Sequence, residues 1–251
     1  MSEQLLSFSA DGVCELRFNR PEKRNAITYA MYEALCKGLG DAQANTAVRV
    51  VLFSGEGAVF CAGNDLNDFL NGPEFTVEHP VMGFLYTLAT FEKPLLAAVQ
   101  GHTVGIGVTM LLHCDLVLAS RTAQLSMPFV NLGLVPEAGS SLLLPRLVGH
   151  HRAAELLLLG QPIDAPTAYR LGLVNRLVEE AALLRDTRAL ARELAQQPQN
   201  ALLATRRLLR ADPREVRARI DAEARIFGAR LRSEEFREAL RAFLAKGRAS
   251  S

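Results

Sequence analysis

Short apolar blocks of two different periods run through the first 180 residues. Residues 5–9 and 13–18 flank Asp11-Gly12, a dipeptide that tolerates positive φ, so they read as the two strands of a hairpin. Pro21 ends the second. Thr28 stands where a helix cap belongs, and Met31, Leu35 and Leu39 recur at helical spacing, which predicts a helix to about Asn45. VRVVLFS at 48–54 is continuous and β-branched, the mark of a strand covered on both faces. The glycine-rich loop GEGAVFCAG leads to a short helix at 65–70, a mobile surface loop at 72–80 and a helix at 81–91. Residues 95–100 read as another buried strand, and Gly101-His102-Thr103 as a turn into one apolar helix, VGIGVTMLLHC. Strands are expected at 115–120 and 124–126, irregular chain at 127–137, and helices at 138–147 and 152–160. Asp164-Ala165-Pro166 has the form of a helix start, Gly172 closes that helix, and 173–178 is a last short strand. Strand and helix alternate throughout, as in a wound α/β core.

Beyond Glu179 the pattern changes to arginine-rich amphipathic helices broken near Pro198 and Pro213. Leu183, Leu190 and Leu194, then Ile220, Phe227 and Leu231, form apolar faces that must pack on the core or on a neighbouring subunit. A boundary near 195 divides the chain into a core, 1–195, and a helical C-terminal region, 196–251.

Composition narrows the class. With 251 residues, 49% hydrophobic and 22% charged, the chain is globular and long enough to bury a core without disulfides or metals. Net charge is +1, yet residues 182–251 hold 16 basic and 9 acidic side chains and residues 1–181 hold 12 and 18. The basic end is a solvated helical face or an aid to binding a polyanionic ligand. Its arginines alternate with acids and no aromatic-rich basic motif accompanies them, which argues against nucleic acid. Cys14, Cys36, Cys61 and Cys114 have no metal-ligand spacing, so no metal is expected and a reducing compartment suits them. The start MSEQLLSFSADG is unlike a signal peptide. The longest apolar stretch, 104–119, is interrupted by His113 and Asp115 and is too short for a membrane span. A cytoplasmic setting is therefore expected.

Two segments have the form of loops that present a backbone amide. Phe60-Cys61-Ala62-Gly63-Asn64-Asp65-Leu66 follows a buried strand and opens a short helix, and Gly105-Ile106-Gly107 does the same. Small residues let a ligand approach the backbone, and free N–H groups there favour developing negative charge. Each loop taken alone is equally a tight packing turn. The ordered set RPEKRNAI, FCAGNDL, GHTVGIG, CDLVLAS, MPFVNLGLVPEAGSSLLLPRLVG and LGLVNRLV, spread over about residues 5–246, resembles the crotonase (enoyl-CoA hydratase/isomerase) superfamily. The resemblance implies an α/β spiral of ββα units with a helical C-terminal trimerisation region, and homotrimers that often pair into homohexamers. It implies an acyl-CoA thioester as substrate, no separate cofactor, and an oxyanion hole made by the N–H groups of Asn64 and Ile106.

The acids decide which reaction. Hydratases of this superfamily carry two glutamates about a water, and the matching positions here are Thr109 and Phe129. Glu137, in Val135-Pro136-Glu137-Ala138-Gly139, instead matches the base of the peroxisomal-type 3-enoyl-CoA/2-enoyl-CoA isomerases; by itself it is also an ordinary acid at a helix N-terminus. Phe129, Leu132 and Leu134 are candidates for an apolar wall that would raise its pKa. The resemblance further places Arg24 and Ala26 beside the adenosine, Ala62 and Leu66 on the adenine and pantetheine, and Phe243 and Lys246 near the nucleotide, although Arg24 and Lys246 taken alone are equally ordinary surface cations. Asp65 either orients the loop through local backbone hydrogen bonds or is a polar wall residue. The expected activity is isomerisation of 3-enoyl-CoA to trans-2-enoyl-CoA. Hydration, another crotonase reaction and a non-catalytic acyl-CoA-binding protein are the alternatives.

Overall fold

The computed structural model describes residues 3–71, 75–76 and 78–249. β1 (Leu5–Ala10) and β2 (Val13–Phe18) pair antiparallel through Asp11 (φ 52°) and Gly12 (φ 78°), the two left-handed residues of a tight hairpin. α1 (Tyr29–Ala44) starts where Thr28 Oγ1 accepts the Met31 N–H at 3.3 Å. There follow β3 (Val50–Gly55), α2 (Leu66–Asn71), α3 (Pro80–Thr90), β4 (Leu95–Val99), β5 (His102–Val104), α4 (Ile106–Thr109), β6 (Leu116–Ser120) and β7 (Gln124–Ser126). Then come α5 (Ser140–Val148), α6 (His150–Ala154), β8 (Ile163–Asp164), α7 (Ala165–Arg170), β9 (Arg176–Val178), α8 (Glu180–Ala195), α9 (Gln199–Leu209), α10 (Pro213–Leu231) and α11 (Glu234–Ala249).

One sheet has the order β1-β2-β3-β4-β6-β9, parallel after the first pair, and a smaller one has the order β5-β7-β8. β4 then β5, β6 then β7, and β8 then β9 send one strand to each sheet in turn. That is the expected spiral of ββα units.

The continuous apolar strands are covered on both faces. Val51 and Phe53 of β3 join the main core with Met31, Leu35 and Leu39 of α1, while Val50 and Leu52 face Leu183, Leu190 and Ala191 of α8. The C-terminal helices pack on the main core through Val216, Ile220 and Phe227 of α10 and Phe236 and Leu240 of α11.

Four local expectations change. Residues 102–104 are a strand paired with β7, because Thr103 is buried opposite Leu125. The apolar segment after Gly105 makes one α-turn and tightens to a 3₁₀ turn, Met110–His113. The helix expected at 152–160 runs as α6 into a π-turn at Glu155–Leu159. Ile163 and Asp164 pair with β7 before Asp164 caps α7. The loop expected at 72–80 lies partly outside the described residues.

Candidate active site

The two glycine loops touch. Val104 N–H donates to Cys61 O at 3.0 Å, and a Cβ on Gly107 would stand 2.7 Å from Cys61 O, a contact only glycine permits. Gly105 (φ 55°) accepts from the N–H groups of Val108 and Thr109 and so starts α4 one residue before Ile106. On the other loop, Ile27 pairs with Asn64 in an isolated parallel bridge whose bonds run from Ile27 N–H to Gly63 O (2.8 Å) and from Asp65 N–H to Ile27 O (2.9 Å). A bridge of this kind uses the groups on either side of Asn64 and turns the Asn64 N–H away. Among the described residues neither the Asn64 nor the Ile106 N–H donates to a protein acceptor.

A cavity of about 520 Å³ lies against these loops. Ala26, Ala62, Asn64, Asp65 and Leu66 line it, with Gly105 on the opposite loop and Phe129, Leu132, Leu134 and Phe227 as an apolar wall. Asp65 is nearly buried. Its Oδ2 accepts from Arg20 at 2.7 Å and its Oδ1 from the Asn67 N–H at 3.0 Å. Burial alone would raise its pKa, but the Arg20 guanidinium and the Asn67 amides outweigh that and hold the carboxyl below its ordinary range.

Arg24 does not line this cavity. Its side chain is exposed, its carbonyl accepts the Ala62 N–H at 3.0 Å, and the neighbouring Lys23 is the cation on the cavity wall. Phe243 and Lys246 fall on α11, and their side chains lie outside the described residues.

Glu137 is 5% exposed and does not itself line the cavity, although Leu134, three residues before it, does. Thr109 Oγ1, on α4 three residues beyond Ile106, donates to Glu137 Oε1 at 2.7 Å. The other carboxylate oxygen, Oε2, is buried without a partner among the described residues. Burial pushes the carboxyl up to about 8; the Thr109 hydroxyl pulls against this and the negative charge of Glu223 adds to it. Thr109 is thus the residue that holds the acid, a role its own position in the chain does not disclose. Tyr32, fully buried on α1, donates its hydroxyl to Asn64 Oδ1 at 2.5 Å and so orients that side chain from below; its signal in the sequence was only that of a core aromatic.

Among the described residues no group of three or more His, Cys, Asp or Glu side chains is arranged to hold a metal, and no helix is long and apolar enough to cross a membrane.

The enoyl-CoA hydratase/isomerase family model matches residues 9–250. The chain is 35% identical over 254 aligned positions to a 1,2-epoxyphenylacetyl-CoA isomerase of Escherichia coli (strain K12), covering 98% of this chain and 97% of that protein. It is 34% identical to enoyl-CoA delta isomerase 2 of Rattus norvegicus, of which it spans 64%. Among solved structures it superposes on Pseudomonas aeruginosa OdaA with a TM-score of 0.93 at 48% identity, covering 96% of this chain and 99% of that one.

Proposed function

This chain belongs to the enoyl-CoA hydratase/isomerase family, and from that membership we propose that it shifts the double bond of a 3-enoyl-CoA to give trans-2-enoyl-CoA, with Glu137 as its single acid–base group. The observation that carries this reading is a buried carboxyl with one oxygen held by Thr109 and the other free. Glu137 removes a proton from C2. The electron pair passes into the thioester, and the dienolate oxygen lies between the N–H groups of Asn64 and Ile106. The same carboxylic acid returns the proton at C4, leaving the double bond between C2 and C3. A base with a pKa near working pH combines a usable fraction of carboxylate with real proton affinity. Donors fixed before reaction stabilise such an oxyanion by about 2.7–4 kcal/mol each.

Hydration requires a water held and deprotonated on one face while a proton reaches the α-carbon. Thr109 is occupied with Glu137, and Phe129, 5% exposed, fills the other position with an apolar ring. We therefore expect isomerisation of 3-hexenoyl-CoA to exceed hydration of crotonyl-CoA by at least roughly tenfold in kcat/KM, about 1.4 kcal/mol in barrier. Efficient hydration with no double-bond migration would overturn the reading, and binding of 3-hexenoyl-CoA without turnover would favour a non-catalytic protein. A second reading draws on the epoxyphenylacetyl-CoA isomerase relative and on the ring-faced wall of Phe129 and Phe227: a ring-bearing acyl group, activated by the same proton removal next to the thioester.

We further propose that residues 196–251 mediate assembly. Leu208 and Leu209, at the end of α9, are 88% and 81% exposed, and Ile226 of α10 is 54% exposed, apolar side chains that a subunit contact would cover. Light scattering should give three or six times the 27.4 kDa chain mass. A single-chain mass at micromolar concentration would contradict this.

A further inference from the structure

Glu137 starts a turn that Ser140 closes from within, its N–H and hydroxyl both donating to Glu137 O at 3.1 and 2.5 Å, but that leaves the N–H groups of Gly139 and Ser141 to an acceptor from elsewhere. Ala138 (φ 62°) and Gly139 (φ 70°) are successive left-handed residues, a conformation that alanine adopts only under constraint. Successive backbone N–H groups in such a turn converge to form an anion-binding concavity. The anion that fills it comes from α10, 84 residues away: Glu223 Oε2 accepts the Gly139 N–H at 2.7 Å, and Oε1 accepts the Ser141 N–H at 2.9 Å and the Ser141 hydroxyl at 2.5 Å. Glu223 is 6% exposed, and burial pushes its carboxyl above the usual range, while the donors on its two oxygens pull back towards the ionised form.

We infer that Glu223 is a positioning residue for Glu137, fixing the turn that aims the base and placing a second buried negative charge behind it. This rests on the reading of Glu137 as the base. Other groups face the pair. From α10, the exposed Arg219 reaches the Ser141 hydroxyl at 3.4 Å and partly offsets Glu223. From the 3₁₀ turn after α4, His113 Nε2 lies 2.7 Å from Ala138 O, and burial pushes its pKa down to about 4, so it adds no charge at neutral pH. Thr109 of α4 holds Glu137 Oε1; Tyr32 of α1 and Cys61 of the first loop are neutral. Glu223 thus helps keep Glu137 protonated at neutral pH as well as aimed.

The test is Glu223→Gln beside Glu223→Asp. Glu223→Gln should lower kcat per folded enzyme by up to about a hundredfold, the cost of an ångström-scale misplacement, with KM little changed. Removing the charge should also move the acid limb of the kcat/KM profile down by on the order of one pH unit. Glu223→Asp keeps the charge and should leave the limb at its wild-type pH. A purely structural role would lower the melting temperature without moving the limb, and that result would overturn the inference. The carboxyl band of Glu137, isolated as the infrared difference between wild type and Glu137→Gln, gives the same titration without turnover. A wild type that fails to isomerise would therefore sink the isomerase reading alone, whereas a Glu223→Gln band titrating as in wild type would sink the coupling alone. If Glu223→Gln does not fold, Ser141→Ala removes one donor and leaves the buried charge. It should show kcat several-fold lower at unchanged KM and a displaced Glu137 band; wild-type values for both would overturn the inference.

Discussion

Glu137→Gln is expected to lose a factor of about 10²–10⁴ in kcat for 3-enoyl-CoA isomerisation, with KM nearly unchanged, because a positioned general base acts in proton transfer and not in binding. Glutamine preserves the shape and still offers an oxygen to Thr109, so the loss isolates the missing proton acceptor. The pH profile supplies a second signature. With the carboxyl pushed up to about 8 by burial, wild-type kcat/KM should rise tenfold per unit below that pH and level off above it. The mutant's residual activity should lack that limb. Absorbance of the conjugated product thioester follows both, and near-wild-type turnover in Glu137→Gln would remove this residue from the mechanism.

The same substitution should make the protein more stable, in a way that depends on pH. In the unfolded chain the carboxyl of residue 137 titrates near 4.5, and in the folded protein it titrates at about 8. Between those values the native state keeps a proton that the unfolded chain has released, so stability is full below about 4.5 and falls as pH rises towards 8. At 1.36 kcal/mol per pH unit, the loss by pH 7 is roughly 3 kcal/mol. Glutamine does not titrate and escapes it. Glu137→Gln should match wild type near pH 4.5 and exceed it by about that amount at pH 7, measured by urea unfolding at one fixed protein concentration. Titrating groups that are not coupled to Glu137 cancel in the difference. A stability gap that does not grow between these pH values would mean that Glu137 ionises as an ordinary surface carboxyl.

Much of the scaffold is legible in local pattern. The continuous apolar runs gave away β3, β4 and β6 because a strand buried on both faces has no polar side to display, and Asp11-Gly12 gave away the hairpin because few other pairs accept two positive φ angles. What local pattern hides is pairing. β5 begins with an exposed histidine and is three residues long, so only its alignment with Leu125 of β7 marks it as a strand. The site divides in the same way. Glycine loops declare themselves through residues that tolerate no side chain, but the partners of Glu137 do not: Thr109 is 28 residues upstream on an apolar turn, and Glu223 looks like one more acid among the arginines of an amphipathic helix. The motif located the acid, and only the fold shows what holds it.

The order of β9 and α10 in the chain has a consequence for synthesis. β6 finds its neighbour β9 only 58 residues later, since Leu118 pairs with Arg176, and pairings of such long range form slowly. Glu137 is made well before α10, so for that interval the amides of Gly139 and Ser141 lack the carboxylate of Glu223. The nascent chain can build its hairpin and first strands as they emerge. The cavity is closed last, when α10 and α11 bring Phe227, Ala239 and Ala242 to its wall, and a chain cut short before α10 would keep both glycine loops and Glu137 without the carboxylate of Glu223.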